Sequence, residues 1–371
     1  MSFTALILKN LLRQRIRTSL TVVGIGLGIA TVVALGSVVG GMKQTAVQIL
    51  TAYGSDFIVA EKGASDLSFS NVAEEDQAAL AGYPGVAGTL GLLLRLSKVG
   101  GNPYFVTVGM TAADVEAAGI DLREGTLYAA GASDEILLGT HASSDLDAVV
   151  GDTVEIDDRT FHVAGLFKSR NLWQDSGAIA PLATVQEMAN KAGVVTFVYV
   201  RVAEGADPEA VATGIREDFA LLTTVANVSE YSRVDQGIEI MDALNLAVSA
   251  LAVGIGAIGV MNTMVMSVYE RTREIGILRA VGWSDNRVLR MIVGESLILC
   301  AIAAVVGGLA GVAASRAVLL IPAVQSLLTP QYTSDIFVRG LIVALVVALV
   351  GAAYPAIRAL RLVPMEALRH E

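Results

Sequence analysis

"VYERTREIGILRAVGWSDNRVLRMIVGE", residues 268–295, decides how this chain is read. Nine charged side chains fall between Tyr269 and Glu295, yet long uncharged apolar runs flank the stretch on both sides. A charge at the centre of a bilayer helix costs about 2.5–3.5 kcal/mol, so nine would cost on the order of 25 kcal/mol. The segment therefore lies outside hydrocarbon and connects two membrane spans. Glu270 and Arg273 have the i,i+3 spacing of an opposite-charge helical pair, and Ile275, Leu278, Ala280 and Val281 supply an apolar patch. Gly282 predicts a stop, and Ser284-Asp285 a restart. The expectation is a short amphipathic helix, a turn, and a helix re-entering the membrane. Such a helix is a docking surface or, alternatively, lies on anionic headgroups.

Four runs lack charge: 18–42, 243–269, 296–315 and 340–357. Each reaches about the 17–25 residues a spanning helix needs. The chain is 371 residues long, 54% hydrophobic and only 17% charged, with a mean hydropathy of +0.61, which excludes an ordinary soluble protein. Residues 317–334 are apolar but carry Pro322, Gln325 and Pro330, so they are expected as an outer loop. The first run is too long for a signal-peptide core and has no small-residue cleavage site, which predicts a retained span. Cys300 is the lone cysteine, so no intramolecular disulfide is available.

Charge gives the sides. Residues 43–237 hold 12 basic and 27 acidic side chains; the remainder holds 14 and 9. Lys9, Arg13, Arg15 and Arg17 precede the first span; Arg271, Arg273, Arg279, Arg287 and Arg290 follow the second; Arg358, Arg361 and Arg369 follow the fourth. Four spans put all three basic segments on one side, which the positive-inside rule makes cytoplasmic. The predicted organisation is a cytoplasmic amphipathic helix (1–17), spans at 18–42, 238–269, 291–316 and 337–357, an extracytoplasmic domain with stalk ends (43–237), a cytoplasmic helix region (270–290), an outer loop (317–336) and a cytoplasmic tail (358–371). The protein is expected as a multi-pass protein of the cell (cytoplasmic) membrane.

The region 43–237 reads as an α+β domain in two lobes. Strands are predicted at 56–60, 92–99, 104–110, 135–140, 152–156, 160–167 and 197–202, with a hairpin turn at Asp157-Asp158. Asn71 followed by Glu74 predicts a capped helix start, and Asp207-Pro208 another, opening a helix over 208–222. Both adjoining spans continue without a strong breaker, which predicts a helical stalk.

Gly254-Ile-Gly256-Ala-Ile-Gly259 matches the dinucleotide-binding fingerprint by letter only, because it lies inside a span rather than after a strand. Gly24, Gly28, Gly254, Gly256, Gly259, Gly307 and Gly311 are expected to pack helices closely, as are Gly36 and Gly40. Asn262 is expected to hydrogen-bond between helices. Glu295 and Arg316 are expected as anchors at the ends of the third span. The chain contains no Gly-Lys dipeptide, hence no phosphate-cradling loop. His141, His162 and His370 lack metal-ligand spacing, and no nucleophile constellation is visible, so no catalytic residue, metal or nucleic-acid partner is expected.

"IGVMNTMVMSVYERTREIGILRAVGW" (258–283) closely resembles the second-span and coupling-helix signature of the MacB/FtsX-like ABC transporter permease family, the type VII mechanotransmission transporters. "YPAIRALRLVPMEALRHE" (354–371) resembles its closing motif and "LKNLLRQRIRTSLTVVGIGLGIA" (8–30) its opening. "EILLGTHASSDLDAVVGDTVEIDDRTFHVAGLF" (135–167) looks like its periplasmic core domain. The resemblance implies four spans, one plus three, with the large domain between the first two. It implies a permease subunit whose ATP and Mg²⁺ sit on a separate ABC ATPase chain, and a second permease, identical or homologous, beside it. Membrane lipid and an extracytoplasmic adaptor or substrate-binding protein complete the partners. By position, Glu270, Arg271, Arg273, Glu274 and Arg279 would make polar contacts to the ATPase, while Ile275, Gly276, Leu278 and Ala280 would pack and Gly282 would close the helix. The cargo would be a drug, peptide, lipid or lipoprotein. The competing reading is a signalling subunit that moves an extracytoplasmic partner without transport.

Overall fold

The computed structural model describes residues 15–169, 172–234, 236–320 and 329–361. The chain divides into two compact units. One takes Met241–Val318 with the described residues up to Gly40 and from Pro330 onward; the other takes Gly41–Ile240 with Leu319, Leu320 and Thr329.

Among the described residues, four helices are long and apolar enough to cross a membrane: Arg15–Leu50, Gln236–Glu270, Asp285–Val318 and Ser334–Leu360. They are called the first to fourth span helices. At 1.5 Å per residue the first two are about 54 and 52 Å long, against about 30 Å of hydrocarbon, so both outrun a bilayer. Most of the predicted helix at 1–17, together with Lys9, Arg13, Arg369 and His370, lies outside the described residues.

In the membrane unit, close approach of backbones does the packing. A Cβ at Gly307 would come 2.5 Å from the Gly26 carbonyl oxygen, and one at Gly311 2.7 Å from that of Ala30. These glycines seat the third span helix on the first. Gly28 faces Ala252, which joins the first to the second, and Gly256 faces Val347, which joins the second to the fourth. Gly36 and Gly40 lie beside Ile336. Gly26 and Gly351, the latter against Val260, belong to the same set although nothing in the sequence singled them out. Gly24, Gly254 and Gly259 meet no neighbouring element of this chain within 4 Å of where a Cβ would stand. A helix turns 100° per residue, so glycines at 254, 256 and 259 point in different directions, and only Gly256 meets a neighbour. Asn262 is also displaced from its expected role. It is exposed, and its neighbour Thr263 makes the interhelical bond instead, Oγ1 to Thr21 Oγ1 at 2.6 Å.

The second unit is built on a mixed sheet. Its strands are β1 (Phe57–Glu61), β2 (Val72–Ala73), β3 (Val86–Val99), β4 (Asn102–Met110), β5 (Asp121–Gly125), β6 (Glu135–Gly139), β7 (Thr153–Ile156), β8 (Arg159–Lys168), β9 (Ala178–Pro181), β10 (Val194–Val195), β11 (Phe197–Val202) and β12 (Leu222–Val225). The order is β12-β1-β11-β3-β4-β9-β6-β8-β5, with β7 on β8; β2 and β10 pair separately. The two expected lobes share this sheet. The first half of β3 pairs with β11 and the second half with β4, so one strand of 14 residues joins them. Both faces are covered by apolar clusters. Neighbouring residues such as Leu92 and Leu93, Phe105 and Val106, or Leu137 and Leu138 go to opposite clusters. That explains why the strands read as continuous apolar runs rather than as alternation.

Two local expectations are corrected. Helix Glu74–Ala81 is preceded by Ala73 at the cap position with no side-chain cap; Asn71 instead bonds to the Glu61 carboxylate through its backbone N–H and its amide. Helix Pro208–Asp218 does open at Asp207, whose carboxylate accepts from Glu209 N–H, but it ends before Leu222. Residues 222–225 form edge strand β12 on β1. The β-branched Thr223, Thr224 and Val225 suit a pleated surface better than a further helical turn.

Asp157 and Asp158 both have left-handed backbone (φ 50° and 65°), the requirement of a two-residue hairpin between β7 and β8. The Asp157 carboxylate then accepts from Lys98 N–H (2.7 Å) and pairs with Arg95 (3.0 Å), tying the hairpin to β3. Burial alone would raise its pKa; the bonds from Lys98 N–H, the Ser97 hydroxyl and Arg95 outweigh it, and the pKa is lowered. A lowered folded-state pKa stabilises above the unfolded aspartate value, about 3.9, and the gain is lost as pH falls through the folded value. Asp157→Asn is therefore expected to loosen the hairpin at pH 7 by about 1–2 kcal/mol, or roughly 5–30-fold faster amide exchange over residues 152–168. The difference from wild type should shrink below about pH 4, read by exchange on the full chain.

Candidate functional site

Residues 268–290 form a tight elbow. The second span helix ends at Glu270, and Thr272 Oγ1 donates to the freed carbonyls of Val268 and Tyr269. Arg271 breaks the helix (φ −112°, ψ 15°), and a short helix follows at Thr272–Ala280. It stops in a Schellman arrangement: Gly282 is left-handed (φ 99°), its N–H bonds to Arg279 O, and Trp283 N–H bonds to Leu278 O. The third span helix restarts at Asp285, its first turn receiving Arg287 N–H on Ser284 O.

The elbow is fastened to the bundle by charge. Arg17 pairs with Glu270 at 2.8 Å. Arg271 pairs with Glu274 at 3.2 Å and with Glu295 at 2.6 Å. Arg279 donates to Leu360 O (2.9 Å) and pairs with Asp285 (3.1 Å). Arg358 stacks over the Tyr269 ring at 4.4 Å.

This corrects several expected roles. Glu295 does not face solvent as a free anchor would. It lies ten residues inside a helix that starts at Asp285, its side chain 4% exposed against Arg271. A carboxylate so buried needs a partner, and Arg271 supplies it. Arg271 thus faces inward, and Ile275 and Gly276 are buried, Ile275 within the apolar cluster of the bundle. Arg316, at the other end, lies over the Tyr332 ring at 5.7 Å.

What the short helix shows to solvent is its other face. Arg273, Ile277, Ala280 and Val281 follow i, i+4, i+7, i+8, whereas the inward set is Arg271, Ile275, Leu278 and Arg279. Ile277 is 45% and Val281 79% exposed. Glu274 and Gly282 are exposed beside them and Leu278 is half-buried. Arg273 has no ion pair among the described residues. Ile277 is absent from the residues expected to dock; counting four residues on from exposed Arg273 would have found it.

The MacB-like periplasmic core domain family matches residues 18–218, and the FtsX-like permease C-terminal family matches 246–364. An uncharacterized ABC transporter permease of Methanocaldococcus jannaschii is 26% identical over 98% of this chain and 96% of its own length. The macrolide export ATP-binding/permease protein MacB of Nitrobacter winogradskyi is 26% identical over 95% of this chain, which spans 58% of that relative. The pyoverdine export ATP-binding/permease protein PvdT of Pseudomonas syringae is 27% identical over 96% of this chain and 58% of its own. The periplasmic region of MacB from Actinobacillus actinomycetemcomitans aligns with 51% of this chain at 13% identity and a TM-score of 0.40. The chain is a multi-pass membrane protein whose large α/β domain lies between its first and second spans. Since one family match alone takes in more than half of its residues, it belongs to the MacB/FtsX-like ABC transporter permease family.

Proposed function

We propose that the exposed face of Thr272–Ala280, with Val281, docks an ABC nucleotide-binding domain lying outside these residues. ATP and Mg²⁺ would be bound there, and their turnover would drive movement of the spans and of the domain at 43–237. The observation that carries this is a helix whose other face is sealed into the bundle while this one presents two large apolar side chains, Ile277 and Val281, beside the exposed guanidinium of Arg273. A helix built only to rest on headgroups has no need of charged ties to two other helices.

In this reading the elbow, the termini and the basic segments are cytoplasmic, and 43–237 is extracytoplasmic, as the positive-inside rule requires. The membrane is the cell membrane, and a second permease, identical or homologous, completes the complex. The work done is export or extraction of a drug, peptide, lipid or lipoprotein, in contact with membrane lipid and an extracytoplasmic adaptor or substrate-binding protein. The export named for the MacB and PvdT relatives supports transport over signalling.

Arg273→Glu tests the docking. Co-purification of the nucleotide-binding subunit with the tagged permease is expected to fall about tenfold, the effect of reversing an interface charge worth roughly 1.4 kcal/mol. Undiminished recovery of that subunit would remove the short helix from the interface.

A further inference from the structure

The break after Glu270 poses a mechanical problem. A helix joined to its neighbour through one non-helical residue can swing, and a push on its exposed face would then be absorbed at the joint. Arg271 is that joint residue (φ −112°, ψ 15°). Its guanidinium reaches Glu295 Oε1 at 2.6 Å and lies 3.9 Å from Met291 Sδ, so it spans two successive turns of the third span helix. Both side chains are nearly sealed, 12% and 4% exposed. Around them Ile275, Val288, Met291 and Ile292 are 0–1% exposed. Removing two charges from water is costly, and well-packed apolar side chains often stabilise as well or better; the best-attested gain from a buried ion pair is a unique register.

We propose that the Arg271–Glu295 pair locks the short helix and the third span helix into one moving body, so that a displacement of the exposed face reaches the third span directly. Arg271 and Glu295 are positioning residues: they contact neither nucleotide nor cargo. The pair acts on the bundle side of the helix, opposite the face that docks. The source of the displacement rests on the docking reading above; the lock itself does not.

The test uses the full chain in lipid nanodiscs with Cys300→Ser, spin labels at Ala280→Cys and Val305→Cys, and the distance distribution between them. Both label sites are exposed. Wild-type pairing is expected to give one narrow distribution. Glu295→Gln is expected to broaden it at least twofold. The double change Arg271→Met with Glu295→Leu restores apolar packing without charge, and it is expected to return thermal stability while leaving the distribution broad. A narrow distribution in the double variant, or in Glu295→Gln, would overturn the proposal, because packing alone would then hold the helix. If Glu295→Gln does not fold, the double variant decides by itself. A second arm uses the unlabelled Glu295→Gln permease: its nucleotide-binding subunit is expected to co-purify at the wild-type level. Loss of that subunit from Glu295→Gln alone would place Glu295 in docking and overturn its assignment as a lock. Failure of wild type itself to retain the subunit would sink the docking reading and leave the distance result standing.

Discussion

Gly307→Leu is expected to leave little folded permease. A Cβ at this position would stand 2.5 Å from Gly26 O and 2.9 Å from the Ile29 Cβ. Those neighbours are backbone and a branch point, so neither yields by a rotamer change. The first and third span helices must separate, and the packing along the rest of their seam loosens with them. Overpacking typically costs about 1–3 kcal/mol, and backbone against backbone belongs at or beyond the top of that range. Gly308→Leu is the control. Nothing lies within 4 Å of its Cβ direction, so its effect should stay within about 0.5 kcal/mol. The measurement is the monodisperse fraction after detergent extraction, with its melting temperature. Equal behaviour of the two variants would mean that the glycine seam does not hold these helices.

Ile277→Asp is expected to abolish docking while sparing the fold. Ile277 is 45% exposed, so its replacement should change thermal stability by less than about 0.5 kcal/mol. At the centre of a packed contact, a buried unpaired carboxylate should cost roughly 3 kcal/mol, on the order of 100-fold in affinity for the nucleotide-binding subunit. Two residues earlier the outcome reverses. Ile275 is 1% exposed, and Ile275→Asp should unfold the elbow before docking can be assayed. A stable Ile277→Asp permease that still holds its subunit at wild-type affinity would count against this face.

The difference between those two isoleucines shows what sequence carried and what it did not. The elbow's existence was legible, because nine charges between apolar runs admit only one place relative to hydrocarbon. Its ends were legible too, through Gly282 and Ser284, since caps are local chemistry. Its orientation was not. Periodicity assigns Ile275 and Ile277 to different faces, but only the neighbouring helices decide which face is sealed. Arg271 and Arg279 carried the same ambiguity: an arginine in a loop reads as a contact for solvent or a partner, and these two reach back to Glu295 and Leu360 O.

The sheet repeats the lesson. The apolar runs at 135–140 and 197–202 declare strands through side-chain type alone. Leu222–Val225 follows a well-capped helix without a breaker, and becomes a strand because β1 offers an open edge. Asn71 has the letter of a cap residue but bonds to Glu61, which is near only once β1 is placed.

By itself, then, the sequence determined the number of spans, the domain inserted after the first and the position of the elbow. Each follows from transfer energies and local backbone preferences, which depend on composition along the chain. Only the tertiary structure decided which glycines touch, which face of the short helix is free, and that Arg271 and Glu295 meet 24 residues apart. Those depend on what stands opposite each residue, and helical spacing supplies a direction without naming the neighbour.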